Sequence, residues 1–386
     1  MSYKSFIFWI LVQTGVVAGS IIALLYIYDP LQLYHKPYFR EMTFSSDARV
    51  QNKGIIKHYD FTHYVVGTSL LQNTLVTELT EALGGSWVNI SMPASSFDTR
   101  AVILHYLFEQ KRPKHIMYSL DHFSLIAPES SNTKSFDYLY DDNPYNDMQI
   151  YLNHKFLFCA LRFSRADHCV GKQNLTTLGA WVINKEGWIM EHGLDLTELF
   201  GGFENWVRLV NPSVAWIVNG LQNYKGAPFE RANKNFDITQ TQRYIQTYLL
   251  DFIQQHPDTR FSLILPPYSL LHWRIGSGAT LRQWQQAVAW LVGEVENLPN
   301  ATIYGFDDML SYTADIANYL DSWHYNIDMN RIFIKAIKNG EHILTPQNIN
   351  AYLQNMEEHV AGYDLTPLAT IAKQAAQEKR QKDTSP

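Results

Sequence analysis

The chain has 386 residues, which is too long for one small domain and suits an elaborated α/β domain that carries an anchor. Hydrophobic residues make up 46% and charged residues 18%, a globular balance that can bury a large core. The chain has 31 Lys and Arg against 37 Asp and Glu and no basic cluster, which argues against a nucleic-acid-binding protein. Nucleotide-loop, dinucleotide and zinc-protease motifs are absent from the sequence, so we expect no cofactor and no metal.

The first feature along the chain is an uncharged apolar segment from Phe6 to Tyr28. A helix that crosses a bilayer needs about 20 such residues, so this segment is predicted to be a membrane anchor within residues 1–30. A cleaved signal peptide is the alternative, because small residues occur at 17–20. The apolar run continues beyond them to Ile27, which favours an uncleaved helix. The flanking charges do not decide the orientation.

After residue 60, short apolar runs alternate with helical patterns, which indicates parallel strands joined by crossover helices. The predicted strands are 64–68, 87–90, 115–120, 261–265 and 302–306. The predicted helices are 71–82, 99–110, 241–255 and 280–296. Residues 123–236 lack a clean period and are interpreted as an insertion or cap. The polar tail, 371–386, shows no apolar face and is expected to be frayed or disordered.

Only two cysteines occur, Cys159 and Cys169. They are close enough in sequence to form one disulfide if the body faces an oxidising compartment. Two buried free thiols are an equally good interpretation.

Polar residues follow several of the predicted strands, and ligands of open α/β sheets bind beyond the carboxyl ends of the strands. Ser69 follows the first strand, and Asp321 and His324 lie on the loop after the last predicted strand. The other candidates at this edge are Asn89, Ala94, Ser95, Asp121, His122 and Tyr268. An Asp-x-x-His pair also occurs at residues 60–63, but it precedes the first strand and therefore lies at the wrong edge.

The combination of Ser69, His324 and Asp321 predicts a catalytic triad. A serine hydroxyl becomes a good nucleophile when a base removes its proton, and a carboxylate orients that base. The backbone N–H groups of Ser69 and Leu70, at the start of a helix, are candidate donors to an oxyanion. The alternative is that Ser69 is only a helix N-cap.

These residues resemble blocks of the SGNH (GDSL-like) hydrolase superfamily, in particular its membrane-anchored DltD-like and alginate-acetylation branch. Residues 67–69 resemble the block that carries the nucleophile, and residues 321–324 resemble the block that carries acid and base. Residues 88–99 are similar to the second block but lack its glycine, so the backbone of Ala94, Ser95 or Ser96 is expected to replace it. The third block normally ends in asparagine, whereas this chain has Asp121. An ionised aspartate cannot donate to an oxyanion, so either Asn89 or His122 takes that role or the oxyanion hole is weaker than usual.

The resemblance implies a flavodoxin-like three-layer α/β/α fold with a parallel sheet over residues 31–370. It also implies single-pass anchoring in the cytoplasmic membrane, with the catalytic domain on the extracytoplasmic or periplasmic side. The substrate class would be acyl esters of cell-envelope glycans. An integral-membrane acyltransferase of the MBOAT kind is the expected partner.

The insertion is rich in aromatic side chains that are candidate sugar-stacking platforms. They are Tyr138, Tyr140, Tyr145, Trp181, Trp188 and Trp206. Aromatic residues this frequent more often pack in a core, so packing is the favoured interpretation for each of them. Tyr268 and Ser269 follow a predicted strand and are expected either to line the pocket or to form a bare turn.

Three functions of different class fit the sequence. The first is a serine O-acyltransferase or esterase, which predicts that Ser69 and His324 lie within hydrogen-bond reach. The second is a catalytically silent envelope scaffold that binds a glycan or a membrane partner. The third is a lipase-like hydrolase, which only the proximity of the membrane favours.

Overall fold

A six-stranded, mostly parallel sheet forms the centre of the protein. The structure is a computed structural model that describes residues 2–126, 133–185 and 193–384. The strands lie in the order β2-β1-β3-β4-β5-β6, and only β6 runs antiparallel to its neighbour. Their bounds are β1 His63–Val66, β2 Trp87–Asn89, β3 His115–Ser119, β4 Arg260–Leu265, β5 Ala301–Gly305 and β6 Ile343–Leu344. The central strands are short apolar runs because helices cover both of their faces. The predicted α/β class is confirmed.

Helices cover the sheet and connect its strands. Those of the first half are α1 Tyr3–Tyr28, α2 Ala48–His58, α3 Ser69–Gln72, α4 Val76–Leu83, α5 Phe97–Gln110 and α6 His122–Ile126. The single helix predicted over 71–82 is in fact two helices. The Asn89 side-chain amide donates to the carbonyls of Leu71, Gln72 and Thr74, at 2.9, 3.2 and 3.2 Å, which holds the chain out of helical geometry between α3 and α4.

The long insertion folds mainly as short helices. The α-helices of its described residues are α7 His154–Leu161, α8 Asp167–Val170, α9 Trp181–Asn184, α10 Leu196–Leu199, α11 Phe203–Arg208 and α12 Ala215–Gln222. Its 3₁₀ turns are Thr133–Ser135, Asp137–Tyr140, Asn146–Tyr151 and Pro212–Val214. Helices of four to eight residues contain too few turns to display a hydrophobic period, which is why the pattern was irregular in the sequence.

The described helices of the second half of the chain range in length from four to nineteen residues. They are α13 Thr239–Ile245, which continues through a π-helical turn Gln246–Leu250 into α14 Asp251–Gln255, then α15 Leu270–Ile275, α16 Gly278–Val295, α17 Leu310–Thr313, the 3₁₀ turn Ile316–Asn318, α18 Ile327–Asn339, α19 Ile349–Gly362 and α20 Thr366–Thr384. The expectation of a disordered tail is wrong, because α20 extends to Thr384. Its inner face consists largely of alanines such as Ala369 and Ala372, which are buried where α20 packs on α11 and α12. Small side chains of this kind do not register as an apolar stripe.

Helix α1 is long and apolar enough to cross a membrane, and most of its side chains are exposed. Only its C-terminal end is buried against the body, through Leu25 and Tyr28. The helix stops at Asp29, whose backbone is left-handed and whose carboxylate accepts hydrogen bonds from the backbone N–H groups of Leu33, Tyr34 and His35 at 2.8 to 2.9 Å. Helix α1 therefore leaves the body through a hydrogen-bonded turn.

Cys159 and Cys169 form a disulfide between α7 and α8. This resolves the alternative that the sequence left open. Both sulfurs are bonded to each other, so neither is a thiolate that a metal ion could use together with the neighbouring His168.

Candidate active site

The candidate site lies where the chain reverses its direction of travel across the sheet. After β1 the chain adds β2 on one side and then returns to place β3 on the other side of β1. Loops at such a switch point diverge and leave a crevice at the carboxyl edge. Gly67 stands at this point, and a Cβ there would lie 2.8 Å from Ser119 Oγ and 3.0 Å from Leu71. Only glycine therefore lets the β1 loop pack this closely and turn into α3.

Ser69, His324 and Asp321 form a continuous hydrogen-bonded chain. Ser69 Oγ lies 2.9 Å from His324 Nε2, and His324 Nδ1 lies 2.7 Å from Asp321 Oδ2. The predicted contact between Ser69 and His324 is thus present. The His324 side chain is 24% exposed and that of Asp321 only 2%, so the serine and imidazole face the cavity while the carboxylate stays behind them.

Asp321 is held in its ionised form by its hydrogen bonds. Burial alone would raise the pKa of this carboxyl, but the adjacent His324 and three hydrogen bonds outweigh burial and lower it. The donors are His324 Nδ1 and the backbone N–H groups of Trp323 and His324, the last two at 2.9 and 2.8 Å. A buried carboxylate fixed in this way holds the imidazole in the tautomer whose Nε2 can accept a proton.

The acid-base loop is also fixed from the body and from the insertion. Ser269 Oγ donates to the Ser322 carbonyl at 2.7 Å. From the insertion, Trp206 Nε1 donates to the Tyr319 carbonyl at 3.2 Å and Asn211 Nδ2 donates to the Leu320 carbonyl at 2.8 Å. Ser269 does not line the cavity, and its turn is not a bare one, because Ser269 caps α15 and holds the loop.

A second network fastens the nucleophile helix to the same loop. Tyr325 Oη and Asn330 Nδ2 both donate to the Leu70 carbonyl, at 2.9 and 3.0 Å. On the other side, Trp181 Nε1 of α9 donates to the Ser69 carbonyl at 3.0 Å. The serine and the histidine are thus positioned by shared backbone contacts as well as by their own hydrogen bond.

Asp121 supports the backbone next to Ser69 through a hydrogen bond with Thr68. Its carboxylate accepts hydrogen bonds from Thr68 Oγ1 at 2.6 Å and Ser119 Oγ at 2.6 Å, and it pairs with the buried Arg100 guanidinium at 3.0 Å. Thr68 Oγ1 in turn accepts from the Leu70 N–H at 3.3 Å. Asp121 lines the cavity but acts through Thr68, so we assign it as a positioning residue.

Neither residue expected to replace the missing asparagine takes an oxyanion role in this geometry. The Asn89 amide is committed to the three carbonyls that separate α3 from α4, and its Oδ1 accepts from the Ser91 N–H at 3.1 Å. His122 does not line the cavity, and its two ring nitrogens have no hydrogen-bond partner among the described residues. Burial, reinforced by the neighbouring His272, lowers the pKa of His122 well below its usual range, so the ring is neutral. Both assignments are therefore corrected.

Backbone N–H groups remain as candidate oxyanion donors. Those of Leu70 and Ser95 are already engaged, with Thr68 Oγ1 and with the Met92 carbonyl at 3.3 Å. Ala94 lines the cavity with a φ of 51°, the left-handed region in which glycine is unstrained. The N–H groups of Ser69 and Ala94 are not engaged in this way, which leaves them as the candidate donors. Ser95 instead contributes a hydroxyl that donates to the Gly67 carbonyl at 3.2 Å.

The triad opens into a cavity of about 400 Å³. Its lining consists of Thr68, Ser69, Leu70, Ala94, Ser95, Ser96, Asp121, Phe123, Ser124, Tyr244, Tyr268, Trp323 and His324. Tyr268, predicted as a pocket residue, is indeed part of this wall. Trp323, Phe123 and Tyr244 were not predicted to be site residues. The position of Trp323 between Asp321 and His324 was the one available signal.

The aromatic residues of the insertion have different roles. Trp206 and Tyr140 are buried, as packing residues should be, whereas Tyr145 is exposed. Trp181 contacts the site directly, with its ring edge-on to His324 at 5.9 Å. Trp188 lies outside the described residues.

No protein-family model and no curated protein matches this chain. The function of the site must therefore be inferred from its own geometry and chemistry.

Proposed function

We propose that the protein is a membrane-anchored serine O-acyltransferase or acyl esterase that works through an acyl-enzyme on Ser69. The observation that carries this proposal is the hydrogen-bonded chain from Ser69 through His324 to Asp321, open to a cavity at the carboxyl edge of the sheet. The N-cap of α3 is Thr68 and not Ser69, so helix capping does not account for the serine.

Three features support an SGNH-type site on a flavodoxin-like fold. The first five strands follow the order 2-1-3-4-5, as in flavodoxin-like sheets. Ser69 follows β1, and Asp321 and His324 lie three residues apart in the segment between β5 and β6. Ala94 adopts a glycine-like backbone in the segment where the superfamily has its second-block glycine. This conformation can direct a backbone N–H to the oxyanion without glycine.

The chemistry follows from these positions. His324 Nε2 takes the proton of Ser69 Oγ as that oxygen attacks the ester carbonyl, and the developing oxyanion is held by backbone N–H groups. Collapse of the tetrahedral intermediate breaks the bond to the alcohol, which leaves with the proton from His324. Water or a sugar hydroxyl then attacks the acyl-enzyme and gives its proton to His324. The acyl group leaves Ser69, which recovers its proton.

The anchor and the disulfide together favour an extracytoplasmic body on the cytoplasmic membrane. Disulfides persist in oxidising compartments and are rare in the cytosol, and Cys159–Cys169 lies in the body. An enzyme held there meets envelope glycans. The cavity walls Trp323, Phe123 and Tyr244 offer aromatic faces to a sugar ring. An MBOAT-type acyltransferase would supply acyl groups from across the bilayer.

The test is covalent labelling of the detergent-solubilised full chain with a fluorophosphonate probe. We expect labelling of the wild type and none of Ser69→Ala or His324→Ala. Ser124→Ala is the matched control, because Ser124 lines the same cavity but is not part of the Ser69–His324–Asp321 hydrogen-bonded chain. Labelling of that variant should equal the wild type.

Two outcomes would overturn the proposal. Labelling that persists in Ser69→Ala would place the reactive group elsewhere. A folded wild type that does not label, even with an envelope membrane extract present to supply a partner, would instead favour the silent scaffold.

If the wild type is labelled, product analysis with an acetylated glycan separates hydrolysis from transfer. Hydrolysis releases the free acid, and transfer does not.

A further inference from the structure

A cavity of about 370 Å³ lies at the point where the anchor meets the body. Its walls are Ile27, Tyr28, Pro37, Tyr38, Phe39, Arg40, Phe163 and Arg165. The set joins the end of α1 to the loop that follows it and to the turn after α7. It is far in sequence from every triad residue and has no part in the chemistry proposed above.

The depth of this cavity follows from the length of the anchor. Helix α1 has 26 residues and, at 1.5 Å per residue, is about 39 Å long, whereas the hydrocarbon layer is about 30 Å thick. A span of about 20 residues that begins at Phe6 ends near Leu25. Ile27 and Tyr28 then lie at the level of the lipid headgroups, and so does the cavity that they line.

Both arginines of the cavity lack an acidic partner. No carboxylate lies within 4 Å of the Arg40 or Arg165 guanidinium in the described parts of the chain. Arg165 Nη2 donates to the Phe39 carbonyl at 2.7 Å. Arg40 Nη2 donates to the Asp29 and Pro30 carbonyls at 3.2 and 2.9 Å, and Arg40 Nη1 donates to the Glu41 carbonyl at 3.2 Å. Arg40 Nε is buried and has no hydrogen-bond acceptor among the described residues.

The charge of Arg40 is therefore incompletely compensated. Burial lowers the pKa of its guanidinium. The Asp29 carboxylate attracts the guanidinium electrostatically without contacting it, and it already accepts hydrogen bonds from three backbone N–H groups and from Tyr151 Oη. An anion in the cavity that Arg40 and Arg165 both line would supply the counter-charge that these two side chains lack. Arginine forks match phosphate geometry particularly well.

The apolar walls favour a lipid as the source of the anion. Tyr38 and Phe39 are 66% and 67% exposed, and Phe163 packs edge-on against Tyr28 at 6.1 Å between ring centroids. These rings continue the exposed apolar surface of α1. We propose that this cavity binds the phosphate headgroup of an anionic phospholipid between Arg40 and Arg165, with the lipid tail lying along α1.

Native mass spectrometry of the full chain in detergent tests this site with phosphatidylglycerol as the probe. We expect one bound lipid on the wild type and ~5-fold weaker binding by Arg165→Gln, since an arginine near an anionic lipid surface contributes about 1 kcal/mol. Arg162→Gln is the matched control, because Arg162 is exposed on the same turn but does not line the cavity. It should bind as the wild type does. Arg165 is itself exposed, so its substitution should not disturb folding.

Two further probes identify the source of the phosphate. Phosphatidylcholine, which has no net charge, should bind more weakly than phosphatidylglycerol, and inorganic phosphate should not displace the lipid. Equal losses in Arg165→Gln and Arg162→Gln would overturn the site in favour of general surface attraction. Displacement by inorganic phosphate would overturn the assignment to a lipid. Labelling of Ser69 should be the same in both variants, so this result stands or falls separately from the proposed catalysis.

Discussion

Replacing Asp121 by asparagine should destabilise the protein strongly. The carboxylate faces the Arg100 guanidinium at 3.0 Å, and both side chains are almost completely buried. Asparagine has nearly the same shape but no charge. It would leave the arginine buried without its counter-ion and would present at most one acceptor oxygen to three donors.

The expected magnitude follows from this burial. Removing one partner of a buried ion pair costs about 3 to 5 kcal/mol, because the remaining charge is uncompensated. We expect about 3 kcal/mol for Asp121→Asn, since the amide oxygen can keep the hydrogen bond from Thr68 or that from Ser119. The Ser69 labelling rate should fall as well, because Thr68 loses part of its support directly before the nucleophile.

Urea unfolding of the full chain in detergent micelles, followed by tryptophan fluorescence, measures this loss. A loss of 3 kcal/mol should lower the midpoint by about 1 M. Asp60→Asn is the matched control, since Asp60 pairs with Lys111 at 2.8 Å but is 95% exposed, and we expect no shift from it. A double variant that also carries Arg100→Gln should lose less than the sum of the two single variants.

An Asp121→Asn midpoint equal to that of Asp60→Asn would refute the reasoning. It would mean that the pair formed by Asp121 and Arg100 is hydrated, or that Arg100 moves to another acceptor at little cost. Additive losses in the double variant would likewise show that the two side chains do not interact.

Three further predictions follow from the site and its surroundings. Asp321→Asn should slow fluorophosphonate labelling by about 10⁴-fold, since the amide favours the wrong imidazole tautomer, and a rate near that of the wild type would contradict the role of Asp321. Burial lowers the pKa of His115 to about 3, so the contribution of neutral His115 to folding stability is complete above the unfolded-state pKa of about 6.5 and is lost as pH falls, by roughly 2 kcal/mol at pH 5. The difference between the free energies of unfolding at pH 7 and pH 5 should therefore be smaller for His115→Gln than for the wild type. An unchanged difference would exclude His115 as the titrating group. Ala94→Gly should keep both stability and labelling, because relief of about 1 kcal/mol of left-handed strain offsets the greater chain entropy of glycine, and a loss well above 1 kcal/mol in urea unfolding would contradict this.

The core of the site was predictable from the order of short apolar runs. Parallel strands bring their carboxyl ends to one edge, so the positions of Ser69, Asp321 and His324 after strands were sufficient to place them together. The same logic excluded Asp60, which lies at the opposite edge and pairs with Lys111. The catalytic roles of the three residues stay predictions until labelling is measured.

The supporting residues were not predictable because their partners are distant in sequence. Arg100 shares helix α5 with Asp98 and Glu109, and nothing local shows that it pairs instead with Asp121 after β3. Asn89 was predicted to be an oxyanion donor because it follows a strand, yet its amide donates to backbone carbonyls instead. Whether a buried polar side chain supports the fold or the chemistry depends on which carbonyls and charges tertiary packing brings within reach.

The path of the chain through the site has a consequence for the newly made protein. Ser69 and the imidazole that would activate it are separated by 255 positions, and the loop that carries the imidazole is tied to the insertion through Trp206 and Asn211. Contacts of such long range form late, after most of the chain has been ordered. A nascent or partly folded chain therefore holds its serine without a base. The reactivity proposed for Ser69 should therefore appear together with the last step of folding.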